Sequence, residues 1–273
     1  LPFTSLYQKT CIPMRPFNSI YQLMALKTQA PEQLRKAKHL LMLPDYFNFL
    51  LTGRKRQEYT NATSTALVNA LNKTWDYELI RQLDYPKHLF GVLSVPGTQV
   101  GGFTPEIAKA VGFNCTVMLP ATHDTGSAYL AIPARDENAV YISSGTWSLL
   151  GIESPTPIIT ERGMASNFTN EGGYGYRFRF LQNIMGLWML QSVKRQHPQP
   201  VSFAEIEQQA RESSYPYMVD VNKSAFLAPE DMAKAVADEC GKGGAPAPKT
   251  LGDTARCVYQ SLARSYKNAI DNL

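Results

Sequence analysis

Two short polar turns near the middle of the chain hold the side chains best suited to chemistry. The first is Thr122-His123-Asp124-Thr125, and the second is Ser143-Ser144-Gly145-Thr146. A carboxylate such as that of Asp124 can orient a hydroxyl group and accept its proton. Small residues with hydroxyl groups and accessible backbone amides suit an anion the size of a phosphate. An acidic turn followed by such a cradle indicates group transfer from a phosphorylated donor.

Each turn also has a simpler interpretation. A His-Asp pair at the end of a strand is common as a helix cap or a turn. Hairpin turns are rich in serine and glycine for conformational reasons alone. Neither turn alone therefore establishes catalysis. The hypothesis of group transfer from a phosphorylated donor rests on the two turns together.

The elements that flank these turns indicate how they are positioned. The apolar run Val117-Met118-Leu119-Pro120 predicts a strand, so that His123 and Asp124 emerge at its end, where open α/β sheets commonly bind ligands. Residues 140–142 and 147–150 are strand-like and predict a hairpin. The turn at 143–146 then connects its two strands.

An amphipathic helix is predicted beyond the hairpin. Apolar residues recur at i, i+3, i+4 and i+7 from Leu181 to Trp188, which predicts one buried stripe. On such a helix Asn183 and Gln191 lie roughly 80° apart around the axis. Both polar groups can then face the same cleft, and the alternative is that both face solvent.

Other segments predict helix ends, loops and a boundary. Thr104-Pro105-Glu106 is typical of a helix start, and Ser202 with Glu205 of another. Residues 59–65 favour a polar loop over a sugar-site lining. The aromatic residues within 44–51 are expected in the core. Residues 133–138 are charged and lack periodicity, so we predict two domains, residues 1–135 and 136–273.

The composition excludes several classes of function. The 27 Lys and Arg residues exceed the 23 Asp and Glu residues by only 4, which does not favour nucleic-acid binding. No apolar run approaches the roughly 20 residues of a membrane helix, and no charged and apolar leader opens the chain. We expect a soluble, cytoplasmic protein, monomeric or a weak dimer. Cys240 and Cys257 are expected to be free thiols.

Several motifs, taken in order, resemble those of the FGGY carbohydrate kinase family, and within it most closely the kinases that act on L-rhamnulose. The resemblance extends through nearly the whole chain, and the order of the motifs makes it specific. The motifs are Pro44-Asp45-Tyr46-Phe47 with Leu51-Thr52-Gly53, Tyr59-Thr60-Asn61-Ala62, Thr122-His123-Asp124-Thr125, Ser143-Ser144-Gly145-Thr146-Trp147-Ser148, Thr169-Asn170-Glu171-Gly172-Gly173 and Asn183-Ile184-Met185-Gly186-Leu187-Trp188.

The resemblance implies an α/β, actin-like ATPase fold of the ribonuclease H type, with parts of two domains flanking a cleft. It implies that Asp124 is the catalytic base, that His123, Asp124, Thr125 and Asn183 contact the sugar, and that Gly145, Thr146 and Gln191 contact ATP. The implied reaction is transfer of a phosphoryl group from ATP with Mg²⁺ to O1 of L-rhamnulose. The alternatives are a xylulokinase-, fuculokinase- or glycerol kinase-like enzyme, or a non-catalytic sugar-binding module.

The chain also departs from the family pattern. The glycine- and aspartate-containing phosphate hairpin at the start of family members and the Gly-Gly-Gly stretch that closes their adenine site are both missing from this sequence. We therefore expect an internal fragment that has little kinase activity alone, and we name no metal ligand.

Overall fold

Helices form most of the regular structure in residues 2–273, which the structure, a computed structural model, describes. The helices are α1 (Phe3–Thr10), α2 (Ser19–Gln29), α3 (Pro31–Lys36), α4 (Leu43–Thr52), α5 (Tyr59–Thr63), α6 (Tyr77–Gln82), α7 (Pro105–Val111), α8 (Asp124–Ala131), α9 (Glu161–Ala165), α10 (Trp188–Gln196), α11 (Phe203–Glu212), α12 (Met232–Lys242) and α13 (Leu251–Asn272). The strands are β1 (Gln57–Glu58), β2 (Val68–Asn69), β3 (Thr74–Trp75), β4 (Leu93–Ser94), β5 (Gln99–Gly102), β6 (Thr116–Met118), β7 (Tyr141–Ser144), β8 (Trp147–Ser154), β9 (Phe168–Gly172) and β10 (Phe178–Met185).

Packing divides the chain into two compact units. The first contains residues 2–139 and Ile152–Leu181, and the second contains Val140–Gly151 and Gln182–Leu273. Strands β8 and β10 each begin in one unit and end in the other. The division into domains 1–135 and 136–273 stays a prediction, but packing assigns residues 152–181 to the unit that also holds the His123 turn.

The sheets are small. Strand β1 pairs with β4 in parallel, while β2 pairs with β3 and β5 with β6 in antiparallel fashion. The largest sheet has the strand order β7-β8-β10-β9. Within the hairpin of β7 and β8, Tyr141 lies opposite Gly151 and Ser144 opposite Ser148. This register places Gly145 and Thr146 at the hairpin turn, as the sequence predicts, whereas Ser143 and Ser144, predicted in the turn, pair within β7.

Each unit has its own apolar core. In the first unit Leu67, Trp75 and Leu79 are buried beneath the short helices. In the second unit α10 to α13 enclose a core that includes Met189 and Val258. Cys240 and Cys257 lie in this second core as free thiols with their Sγ atoms 3.9 Å apart.

The helix ends follow the sequence signals. Thr104 caps α7 by accepting a hydrogen bond from the backbone N–H of Ile107, and Pro105 is the first helical residue. Ser202 and Glu205 form a capping box at the start of α11, in which each side chain bonds the other residue's backbone N–H. Both helix starts were predicted from the sequence, and both predictions are confirmed.

The amphipathic helix predicted from Leu181 onward is wrong in its first half. Residues Phe178–Met185 form β10, an inner strand of the largest sheet, and α10 begins only at Trp188. The alternating run from Tyr176 to Phe180 predicts a strand, and that prediction is confirmed at the start of β10. The strand continues through the apolar residues that follow, where no period of two is visible. The spacing from Leu181 to Trp188 matched a helix by coincidence. Asn183 therefore lies on a strand and Gln191 on a helix, and the two do not share a helix face.

Two other local predictions are also wrong. Residues 59–63 form α5, because the Glu58 side chain caps the helix by accepting bonds from the backbone N–H groups of Thr60 and Asn61. Tyr46 and Phe47 of α4 are exposed, at 45% and 55%. The inward face of α4 carries Asp45 and Thr52 instead. Asp45 is held there by a hydrogen bond that it accepts from the backbone N–H of Glu58.

Candidate functional site

The carboxylate of Asp124 is presented at the start of α8 in the first unit. His123 precedes the helix in an extended conformation, and Asp124 is the first helical residue. The Asp124 side chain is 97% exposed. Its Oδ1 accepts hydrogen bonds from the backbone N–H of Thr125 at 2.6 Å and from the Thr125 hydroxyl at 3.2 Å. The group is therefore oriented on one side and open on the other.

Electrostatics keep this carboxylate ionised. His123 Nδ1 lies 3.4 Å from Asp124 Oδ1. This contact with His123, together with the bonds from Thr125, holds the pKa of Asp124 well below its usual range. Asp124 is thus a carboxylate at neutral pH, able to accept a hydrogen bond from a hydroxyl group.

A buried carboxylate, Glu58, fixes the backbone in front of Asp124. Glu58 is fully buried, and its Oε2 accepts from the backbone N–H of Thr122 at 3.1 Å and from the Thr122 hydroxyl at 2.7 Å. The same carboxylate accepts from the backbone N–H and hydroxyl of Thr60. The Thr60 hydroxyl in turn accepts from the backbone N–H of His123 at 3.3 Å. Glu58 thus joins the start of α5 to the turn that carries His123 and Asp124.

The imidazole of His123 is held by a second pair of charged residues. Glu171, on β9, places Oε2 3.3 Å from His123 Nε2. Arg179, on β10, places Nη2 3.3 Å from the same oxygen and Nη1 3.5 Å from His123 Nδ1. Arg179 is fully buried, and its Nη2 also donates to the carbonyl of Gly172 at 3.1 Å. The ring is therefore confined between two carboxylates and one guanidinium.

Close packing of α5 against β9 supports this arrangement. The backbone N–H of Gly172 donates to the Thr63 hydroxyl at 2.9 Å. A Cβ at Gly172 would lie 2.6 Å from a ring carbon of Tyr59 and 2.8 Å from the Thr63 methyl group. Only glycine fits this contact, which sets the distance between the helix and the strand that carries Glu171.

The second candidate turn lies in the second unit. Ser144, Gly145 and Thr146 are exposed at the tip of the hairpin. The carbonyl of Thr146 accepts from the backbone N–H groups of Gly186 and Trp188, both at 3.2 Å. The tip is thus attached by its carbonyls to the start of α10, while the Thr146 side chain remains open to solvent.

Glycine is required where the chain enters α10. A Cβ at Gly186 would lie 2.6 Å from the Trp147 carbonyl carbon and 2.8 Å from the Gly145 carbonyl oxygen. Gln191 lies further along α10, half-buried, and Asn183 is half-buried on β10. The structure therefore brings Gly145 and Thr146 to the helix that carries Gln191.

Sequence reasoning named His123, Asp124 and Thr125 but missed three residues that hold them. Glu171 belongs to the Thr169-Asn170-Glu171-Gly172-Gly173 motif, whose sequence gives no signal that its carboxylate faces His123. Glu58 directly precedes α5, and an acid at this position before Thr60 and Asn61 is a signal for a helix cap. For Arg179, the alternating run Tyr176-Arg177-Phe178-Arg179-Phe180 predicts a strand but gives no signal for the ion pair with Glu171.

No metal centre is evident within residues 2–273. No group of three or more His, Cys, Asp or Glu side chains in this range is arranged to hold a metal ion. No helix in the same range combines the length and apolar composition that crossing a bilayer requires.

Two family models, one for each half of the chain, match this sequence. The N-terminal domain of the FGGY family of carbohydrate kinases matches residues 2–131, and its C-terminal domain matches residues 140–273. The chain belongs to the FGGY family of carbohydrate kinases.

The curated relatives that match this chain include several rhamnulokinases. A rhamnulokinase of Halalkalibacterium halodurans is 48% identical over 265 residues, which are 97% of this chain and 56% of that protein. A rhamnulokinase of Oceanobacillus iheyensis is 47% identical over 98% of this chain and 57% of that protein. The chain thus spans about half the length of the curated relatives it matches.

Solved structures show the same fold at low sequence identity. Ligand-bound xylulose kinase of Lactobacillus acidophilus superposes with a TM-score of 0.73 at 18% identity, over 98% of this chain and 55% of that one. Gluconate kinase of the same organism gives a TM-score of 0.73 at 19% identity, with the same coverage. The predicted actin-like ATPase fold is confirmed.

Proposed function

We propose that this chain is part of an ATP-dependent sugar kinase that phosphorylates L-rhamnulose at O1 and yields L-rhamnulose 1-phosphate. The observation that carries the proposal is the Asp124 carboxylate, exposed and ionised on a turn whose backbone is otherwise fixed. The 40–48% identity to rhamnulokinases favours L-rhamnulose over other sugars.

Asp124 acts as the general base on the sugar. Its free edge accepts a hydrogen bond from the O1 hydroxyl and orients that oxygen toward the γ-phosphate of ATP. Phosphoryl transfer passes through a loose transition state, so the hydroxyl proton leaves late and a weakly basic carboxylate suffices. Positioning is therefore the larger part of its task. His123, Thr125 and Asn183 contact the other hydroxyl groups of the sugar.

The hairpin tip and α10 serve the nucleotide. In this proposal the exposed hydroxyl of Thr146 contacts a phosphate oxygen of ATP. Gly145 lies beside the phosphates, and Gln191 makes a further contact with the nucleotide. The Mg²⁺ that accompanies ATP neutralises charge on the phosphates, and we assign it no ligand in this chain. We further propose that the 273 residues alone have little kinase activity, because the sequence has neither the phosphate hairpin nor the Gly-Gly-Gly stretch of the family.

A sugar-dependent turnover assay tests the proposal. The polypeptide extended to the length of its relatives is assayed with ATP and L-rhamnulose, D-xylulose, L-fuculose or glycerol, beside the 273-residue chain. We expect turnover with L-rhamnulose in the extended protein and little in the short one. Preference for another of these acceptors would replace the substrate assignment. ATP binding without turnover of any acceptor would favour a non-catalytic module.

The Asp124→Asn variant of the extended protein tests the base. Removing a general base commonly lowers the rate about 10²- to 10⁴-fold. We expect such a loss in kcat, while sugar binding measured by calorimetry remains detectable. The matched control is Asp84→Asn, which alters an exposed carboxylate paired with Lys27 in the same unit. Full turnover by Asp124→Asn would exclude the base assignment.

A further inference from the structure

The carboxylate of Glu171 lacks a well-aligned hydrogen bond at a buried atom. Glu171 is 6% exposed, and its Oε2 is buried with no hydrogen bond of good geometry from the described residues. An unsatisfied buried polar atom costs about 1–3 kcal/mol, and more when it is charged. A donor close to this oxygen therefore has to be directed at it.

Two nitrogen atoms lie close enough to act as that donor. Arg179 Nη2 and His123 Nε2 are both 3.3 Å from Glu171 Oε2. Arg179 Nη2 donates one of its two hydrogens to the Gly172 carbonyl, so the other remains available for Glu171. An unprotonated Nε2 would turn a lone pair toward the carboxylate and be repelled, whereas a protonated Nε2 supplies the donor. The geometry therefore favours a proton on Nε2 of His123.

The opposite ring nitrogen faces a different pair of groups. His123 Nδ1 lies 3.4 Å from Asp124 Oδ1 and 3.5 Å from Arg179 Nη1. The guanidinium can only donate, and the carboxylate can only accept. Because Arg179 Nη1 can only donate, it pairs with an unprotonated Nδ1, which agrees with a proton on Nε2. A ring that carries protons on both nitrogens can also donate from Nδ1 to Asp124.

We propose that Glu171, braced by Arg179, is a positioning residue for His123 that keeps the proton of the imidazole on Nε2 and turns Nδ1 toward Asp124. Its catalytic consequence rests on the proposed kinase function, because Glu171 acts only through His123 and the adjacent Asp124. The assignment of the proton itself does not depend on that function.

Nitrogen NMR of isotope-labelled histidine tests the proton assignment on the 273-residue chain. The chain holds four histidines, so His123→Asn identifies the signal of interest. We expect Nε2 of His123 to be protonated in the unchanged protein and its signal to shift in Glu171→Gln, while the other histidine signals stay in place. An unprotonated Nε2, or an unmoved His123 signal in a folded Glu171→Gln variant, would overturn the proposal whatever the enzyme's activity.

A double-mutant cycle in the extended protein tests the consequence for turnover. A small misplacement at the reacting centre can cost about 100-fold, so we expect kcat of Glu171→Gln to fall about 10- to 100-fold. If Glu171 acts through His123, the double variant with His123→Asn loses no more than His123→Asn alone. Additive losses would show a general structural role and refute positioning. Absence of kinase turnover in the unchanged protein would instead refute the proposed function and leave the NMR result standing.

Discussion

Replacing Asp45 with asparagine should stabilise the protein at alkaline pH. Asp45 is fully buried in α4, and its Oδ1 accepts from the backbone N–H of Glu58 at 3.2 Å. Its Oδ2 is buried without a hydrogen-bond partner among the described residues. Burial, with a smaller contribution from the nearby Glu58 charge, raises the pKa of Asp45 to about 6. The folded protein thus favours the neutral form of this side chain.

The size and sign of the effect follow from that pKa. The difference between the ordinary value of 3.8 and about 6 is about 2 pKa units, which corresponds to about 3 kcal/mol. Because the folded-state pKa is the higher one, the stabilisation is fully present below pH 3.8 and is lost as the pH rises through about 6. Asparagine is neutral at every pH and retains an oxygen for the Glu58 N–H. We expect Asp45→Asn to be about 1–3 kcal/mol more stable than the unchanged protein at pH 8.

Urea unfolding measures this difference. Buried Trp75 lies in the core of the same unit and serves as a fluorescence probe. Unfolding free energies are compared at pH 4.5 and pH 8 for the unchanged protein, Asp45→Asn and the exposed control Asp84→Asn. The gain from Asp45→Asn should shrink toward the lower pH, and the control should show no such gain. A variant less stable than the unchanged protein at pH 8 would refute the reasoning, because it would show that the ionised carboxylate stabilises the fold.

Two further substitutions test packing and capping. Gly172→Ala places a Cβ 2.6 Å from Tyr59 and should lower the unfolding free energy by about 1–3 kcal/mol, as overpacking commonly does. Gly241→Ala is the control, because nothing lies within 4 Å of the Cβ that it adds. Equal melting temperatures for the two variants would contradict the close contact between α5 and β9. Ser202→Ala removes one half of the capping box of α11 and should cost about 1 kcal/mol in unfolding free energy. An unchanged free energy would mean that this helix start adds nothing to stability.

Local signals predicted the parts of the fold that depend on a few neighbouring residues. The start of α7 at Thr104-Pro105 and the capping box of α11 need only the residues that form them. The turn at Gly145 and Thr146 likewise follows from two flanking strands and small residues between them. Such features are readable because the partners that satisfy each backbone group lie within a few positions along the chain.

Other parts depend on partners far away in the sequence. Alternation predicts a strand at residues 176–180, but the strand extends to Met185 because β8 and β9 pair with it, and the pattern of residues 181–185 does not reveal those neighbours. Helix α5 requires Glu58 as its cap, and Glu58 also binds Thr122, 64 positions later. The sequence of residues 59–65 considered alone therefore favours a loop. Long-range pairing decided both cases against the local pattern.

The same distinction explains why the sequence revealed the reactive carboxylate but not its supports. Asp45, Glu58, Glu171 and Asp124 carry the same functional group, and the environment of each decides its role. Asp45 and Glu58 are fully buried and hold backbone N–H groups, and Glu171 faces a histidine beside a buried arginine. Of these four, Asp124 is the one open to a ligand, at 97% exposure, and its contacts with His123 and Thr125 hold its pKa low and keep it ionised. Since Glu58 holds Thr122 and Glu171 lies against His123, the substitutions that most directly test the site lie at Glu58 and Glu171 as well as at Asp124.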